Sequence, residues 1–373
     1  LERKRNASID SLRGIAAVLV IFYHSILNQN DAALSVLVPP IQDLNTNYLR
    51  FLKVFLTLTN GHNAVLLFFV LSGFVLMLSM ERDVSRGEWS WFSFIVRRFM
   101  RLFPALVAAL AVCFAIGTIA VKLGSTSSDF MAAASPSLTV QNMLLWKISM
   151  HGASWTIQVE VLVIPFLLVG FWMARRFGVA GLIFCLAVAL LETQTPFLTS
   201  FSPTLSGALF AFYAGMLAAK LILSSGSPQP RPGAILLMAL LYVFATMFVS
   251  LNSSMLVIVQ ILASAGLVAC VYSASAGLMT TVMNSRPLVT LGRISYSLYL
   301  LNVPVMWVML AIARNIGITA EWPVLSGLLV GITTTAVTIP MADAFERAIE
   351  RPANALGKRL TSRDRPTAII PAE

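Results

Sequence analysis

Arg13 and His24 are an unusual pair for an apolar stretch. Eleven residues separate them, which at about 100° per residue brings both within about 20° of one helix face and sets them about 16 Å apart along the axis. A cation sharing a face with a proton-transfer group points to anion binding coupled to acid–base chemistry, since histidine titrates near neutrality. Asp10 stands three residues before Arg13. The run from Ser154 and Trp155 to Glu160 places a carboxylate about one and a half turns into a second apolar stretch. Arg98 and Arg101 are spaced i and i+3, so they project together from the start of a third. Paired guanidinium groups of this kind suit phosphate, which they can grip bidentately. The other histidines, His62 and His151, lack the HxxxH spacing of a metal pair, so no metal site is expected. No phosphate-binding glycine loop, dinucleotide fingerprint or GxSxG elbow occurs.

The elements that must position these groups are transmembrane helices. Of 373 residues, 58% are hydrophobic and 11% charged, against about 25% charged in a soluble domain. That is too little charge to coat a soluble core, so lipid must cover much of the surface. The net charge of +10 does not indicate nucleic acid, because Lys and Arg cluster at the ends of apolar runs, where they anchor helices to anionic lipid. Cys113, Cys185 and Cys270 lie in apolar runs without CxxC spacing and read as small packing residues. An all-α, polytopic bundle is expected.

A span takes about 20 apolar residues, and ten candidates occur, at 11–28, 64–80, 102–122, 153–173, 178–191, 203–223, 233–250, 255–273, 294–313 and 322–341. With the N-terminus inside, 21 of the 26 Lys and Arg fall on the inner side, as the positive-inside rule asks. Both termini are therefore expected in the cytoplasm. Arg3-Lys4-Arg5 before an apolar stretch resembles a signal peptide, but no small-residue cleavage pattern follows, so an uncleaved first helix is expected. Residues 48–58 and 141–150 read as interfacial segments on the outer surface. The three histidines fall toward that side, and His24 alone lies within a span. Ionisable residues inside a membrane helix cost about 2.5–3.5 kcal/mol or more, which makes Arg13, His24 and Glu160 functional candidates.

Taken in order along the chain, these segments resemble the acyltransferase 3 family of membrane O-acyltransferases. The resemblance rests on Ile9-Asp10-Ser11-Leu12-Arg13-Gly14 through His24, Phe68-Phe69-Val70-Leu71-Ser72-Gly73-Phe74, and Arg98 to Arg101 with Pro104. It continues through Ser154-Trp155 to Glu160, Leu291-Gly292-Arg293-Ile294-Ser295-Tyr296, and Glu350-Arg351-Pro352. Asn302 stands where many members carry a histidine, which argues against a second catalytic histidine there. The resemblance is to members without a fused esterase-like domain, with a transmembrane unit over 1–352 and a basic cytoplasmic tail over 353–373.

The resemblance implies transfer of an acyl group, acetyl by default, from cytoplasmic acyl-CoA to a hydroxyl of a glycan or lipid-linked saccharide, in the cytoplasmic membrane. Arg98, Arg101, Ser72 and Arg13 would bind the donor, and His24, Arg13 and Glu160 would carry the chemistry. Trp155, Asp10, Tyr296 and Asn302 would contact the acceptor. His24 acts either as general base on the hydroxyl or as a covalent acyl carrier, and Glu160 orients His24 or the acceptor. A secondary transporter with an intramembrane Arg13/His24/Glu160 path is the alternative from another class.

Overall fold

The computed structural model describes residues 6–29, 31–225, 229–318 and 323–361. Arg3-Lys4-Arg5, residues 226–228 between two of the expected spans, the first residue of the span at 322 and the part of the tail over 362–373 lie outside them. Among the described residues the chain is helical without a strand. The first half comprises α1 (Ala7–Leu27), α2 (Asp31–Ser35), α3 (Asn47–Thr59), α4 (Gly61–Ser85), α5 (Trp91–Lys122), α6 (Ser128–Ala133), α7 (Pro136–Met143) and α8 (Ser154–Leu162). The second half comprises α9 (Ile164–Gln194), α10 (Pro203–Ser225), α11 (Pro232–Phe248), α12 (Ser254–Ser273), α13 (Leu278–Met283) and α14 (Arg286–Arg293). It closes with α15 (Ser295–Asn315), α16 (Pro323–Phe345), a π-helical turn over Glu346–Glu350 and α17 (Arg351–Thr361).

Eight helical stretches among the described residues are long and apolar enough to cross a membrane, and α11 is a ninth, shorter apolar helix. A kink divides α9. Gly178 sits at φ 64°, ψ −140°, and a Cβ on Gly181 would lie 2.4 Å from the Met173 carbonyl oxygen. Eight residues of straight helix would hold those positions about 12 Å apart, so the chain folds back and two apolar helices run side by side.

The larger apolar core lies among α1, α4, α8, α9, α10 and α12, and a smaller one among α5, α8 and α15. Glycines set the closest approaches. A Cβ on Gly73 would fall 2.1 Å from Phe212 O, and one on Gly215 2.0 Å from Val70 O, so α4 and α10 touch backbone to backbone. Gly14 and Gly292 do the same for α1 and α14, where a Cβ on Gly292 would meet Asp10 O at 2.1 Å. The glycines of the Arg13-Gly14 and Ser72-Gly73 pairs thus stand at close helix contacts beside two cavity-lining residues.

The two interfacial segments fare differently. Residues 48–58 fall within α3, whose Leu52, Lys53 and Leu56 are buried, with Lys53 Nζ donating to Leu37 O at 2.9 Å. Residues 141–150 do not form one helix: α7 ends at Met143, Trp146 is exposed and Met150 is buried. At the C-terminal end, α17 packs against α5, with Gly357 over Met100. The expected tail from 353 therefore begins inside a docked helix.

Candidate active site

Five helices meet around one partly open cavity. Arg13 enters it from α1, Ser72 from α4, Arg98 and Arg101 from α5, Glu160 from α8 and Tyr296 from α15. Six residues singled out in the sequence, far apart along the chain, therefore share one enclosure.

Their partners differ. Arg98 is buried and forms a salt bridge through Nη2 to Glu160 Oε2, with Nε donating to Glu160 O at 3.2 Å. The Ser72 hydroxyl donates to the same carboxylate oxygen at 3.2 Å. Glu160 is thus held by Arg98 and Ser72, not by His24, which corrects the expectation that it orients that ring. The Arg98 charge is committed to Glu160, so it does not form an uncommitted pair with Arg101. Arg101, half-buried on the cavity wall, makes no salt bridge or hydrogen bond among the described residues. Three guanidinium groups and one carboxylate thus line the cavity.

The polar groups gather at one end. Ser295 opens α15 and Arg98 lies in the N-terminal part of α5, both level with Arg13 near the start of α1. Toward the other end the wall becomes apolar and aromatic, with Val65, Phe68, Phe69 and Tyr299. Val65, Phe68, Phe69 and Ser72 fall at i, i+3, i+4 and i+7 on α4, one helix face. That spacing is legible in the sequence, although the aromatic wall was not anticipated from it. Thr156, also on the wall, donates to Ala153 O at 2.9 Å and lies 3.1 Å from the Tyr299 hydroxyl. The Tyr296 hydroxyl donates to Leu102 O at 2.9 Å, tying α15 to α5.

The remaining candidates lie elsewhere. His24 is exposed at the far end of α1 and makes no side-chain hydrogen bond among the described residues; its ring sits edge-on to Tyr23 at 5.5 Å. Between Arg13 and His24 the shared face of α1 is closed by buried Ala17 and Val20. Trp155 packs edge-on against Phe69 at 5.9 Å, outside the cavity lining. Asp10 is buried against the Gly292 backbone. Asn302 is buried and donates to Leu298 O at 3.1 Å and Tyr299 O at 2.6 Å, leaving its own Oδ1 without a partner.

His151 corrects another expectation. It is fully buried instead of lying at a surface: Nε2 contacts Leu300 O at 2.9 Å and Nδ1 contacts Ser154 Oγ at 3.1 Å. A carbonyl only accepts, so Nε2 carries the proton and Ser154 donates to Nδ1. His62, by contrast, is exposed.

Glu160 also has more buried acidic company than the sequence suggested. Glu350 is buried and accepts from the Ser297 hydroxyl. Arg293 binds Asp343 at 2.5 Å and Glu346 at 2.6 Å, and Arg351 holds Glu346 at 2.8 Å. This network clamps the start of α15 to the π-helical turn, and such turns are frequent at functional sites. Glu192 is buried as well, but it captures the backbone N–H groups of Phe197, Leu198 and Thr199 and so latches a loop.

The family model described as an acyltransferase domain matches residues 6–343. The chain therefore belongs to the acyltransferase 3 family. No curated protein and no solved structure matches it closely enough to add to this. The family and the apolar helices together make the protein a multi-pass membrane acyltransferase.

Proposed function

We propose that the protein moves an acetyl group from acetyl-CoA to a hydroxyl of a glycan or lipid-linked saccharide. The observation that carries this reading is the polarity of this cavity, which has guanidinium groups at one end and an aromatic wall at the other. A thioester donor has the same polarity, with phosphates at one end and an acyl group at the other. Arg101 is the group best placed for a phosphate, because Arg98 is already engaged by Glu160. Arg13 and Ser72 complete the polar lining. With the N-terminus in the cytoplasm, as the charge distribution favours, that end faces the compartment that supplies acyl-CoA.

Chemistry belongs at the apolar end of the cavity, where an acceptor hydroxyl would stand between the acyl group and His24. His24 is exposed and its ring nitrogens are uncommitted, so it is available to take the proton of an acceptor hydroxyl. The hydroxyl oxygen then bonds to the acyl carbon, the carbon–sulfur bond breaks, and the departing thiolate receives the proton. The Arg98–Glu160–Ser72 group has a positioning role: it fixes α5, α8 and α4 around the donor. Family membership supports acyl transfer over transport along the same residues.

Two measurements test the reading. Purified protein in lipid nanodiscs is expected to release CoA from acetyl-CoA, and surface glycans from cells carrying the gene are expected to show acetyl esters that disappear on deletion. Unchanged glycans together with no CoA release would reject it.

A further inference from the structure

We propose that Phe68 is the end stop of the donor cavity and sets the length of acyl chain the protein accepts, an inference that rests on the donor reading above. The two helices that bear the wall run antiparallel. Tyr23 packs on Gly61, where a Cβ would lie 2.5 Å from its ring, while Arg13 and Ser72 line one cavity. Higher numbers on α1 therefore meet lower numbers on α4. Val65, the cavity residue nearest the His24 end, lies four residues inward of Gly61. At about 1.5 Å per residue the cavity stops about 7 Å short of His24.

The rings at this stop are not equally fixed. Phe69 is buried, stacked on Phe212 at 5.2 Å and met edge-on by Trp155 at 5.9 Å. Phe68 is only half-buried, and its one close ring neighbour is Tyr299 at 5.9 Å and 60°. Phe69 is therefore locked among rings, whereas Phe68, half-buried at the edge of the core, turns part of its ring to the apolar end of the cavity. Buried Val20 and Ala17 stand on the α1 face that leads on toward His24. An acyl chain entering from the arginine end meets Phe68 before it reaches His24, and each added methylene must be placed against that ring.

The test is the affinity of the protein in nanodiscs for acetyl-, butanoyl- and hexanoyl-CoA, compared with Phe68→Ala and Phe68→Leu. Accommodating one more methylene in apolar surroundings is worth about fourfold in affinity. The butanoyl-to-acetyl ratio is therefore expected to rise about fifteenfold in Phe68→Ala, and less in Phe68→Leu. Improved binding of a longer chain cannot come from misfolding, and Phe68→Leu carries the same test if the alanine variant does not fold. Wild-type protein that binds acyl-CoA, with both variants keeping its length profile within twofold, would overturn the end-stop role alone. Wild-type protein that binds none of the three would overturn the donor reading and this inference with it.

Discussion

Arg13 and His24 share one face of α1, yet the bundle surrounds the two positions in opposite ways. Around Arg13, four other helices converge, and two of the neighbouring charges are engaged: Arg98 by Glu160, and Glu160 by Ser72 as well. Around His24 the side chain is exposed and holds no hydrogen bond among the described residues. A site that must grip a polyanion gains from preorganised charge, whereas a base must be free to accept a proton. The contrast separates donor binding from proton transfer along a single helix.

Removing His24 should break this division most severely. His24→Ala is expected to lower acyl transfer by about 10²–10⁴-fold while acetyl-CoA still binds. Steady-state turnover on a folded variant within about tenfold of wild type would remove His24 from the chemistry.

At the other end the largest effect should fall on stability. Arg98→Ala leaves the half-buried Glu160 carboxylate without its cation; breaking a fully buried pair costs about 3–5 kcal/mol, which sets the upper bound here. Thermal unfolding in detergent should show the loss, and adding Glu160→Gln should recover part of it. If Arg98→Ala unfolds like wild type, the pair is not what holds α5 to α8.

His151→Ala sharpens the comparison among histidines. It orphans the Leu300 carbonyl, and an unsatisfied buried group costs about 1–3 kcal/mol. Melting temperature should fall while turnover per folded molecule stays near that of wild type; the opposite pattern would make His151 a reacting group. His62→Ala should give the smallest change, with stability within about 0.5 kcal/mol of wild type, as for exposed positions generally. A larger loss in the same unfolding assay would mean that His62 is packed, not exposed.

Much of the site was legible because helix periodicity fixes which side chains share a face. Arg13, Arg98, Arg101 and Glu160 were marked by type and spacing, Ser72 and Tyr296 by the family resemblance, and all six line the cavity. What periodicity cannot give is the partner opposite each face. The i, i+3 spacing of Arg98 and Arg101 is the same whether both reach for phosphate or one is engaged by a carboxylate 62 residues away. Loop-borne residues are harder still: His151 precedes α8, and only the tertiary fold brings it against Leu300 on α15. The hairpin in α9 was legible as two apolar runs, and its cause is one glycine at positive φ.

The most direct test of the division along α1 is calorimetric titration of acetyl-CoA into wild-type protein, Arg101→Ala and His24→Ala, each in nanodiscs. Loss of a charge-assisted phosphate contact in Arg101→Ala should weaken binding by about 1.5–3 kcal/mol. His24→Ala should bind acetyl-CoA as wild type does. Wild-type affinity in Arg101→Ala, or lost binding in His24→Ala, would contradict the account.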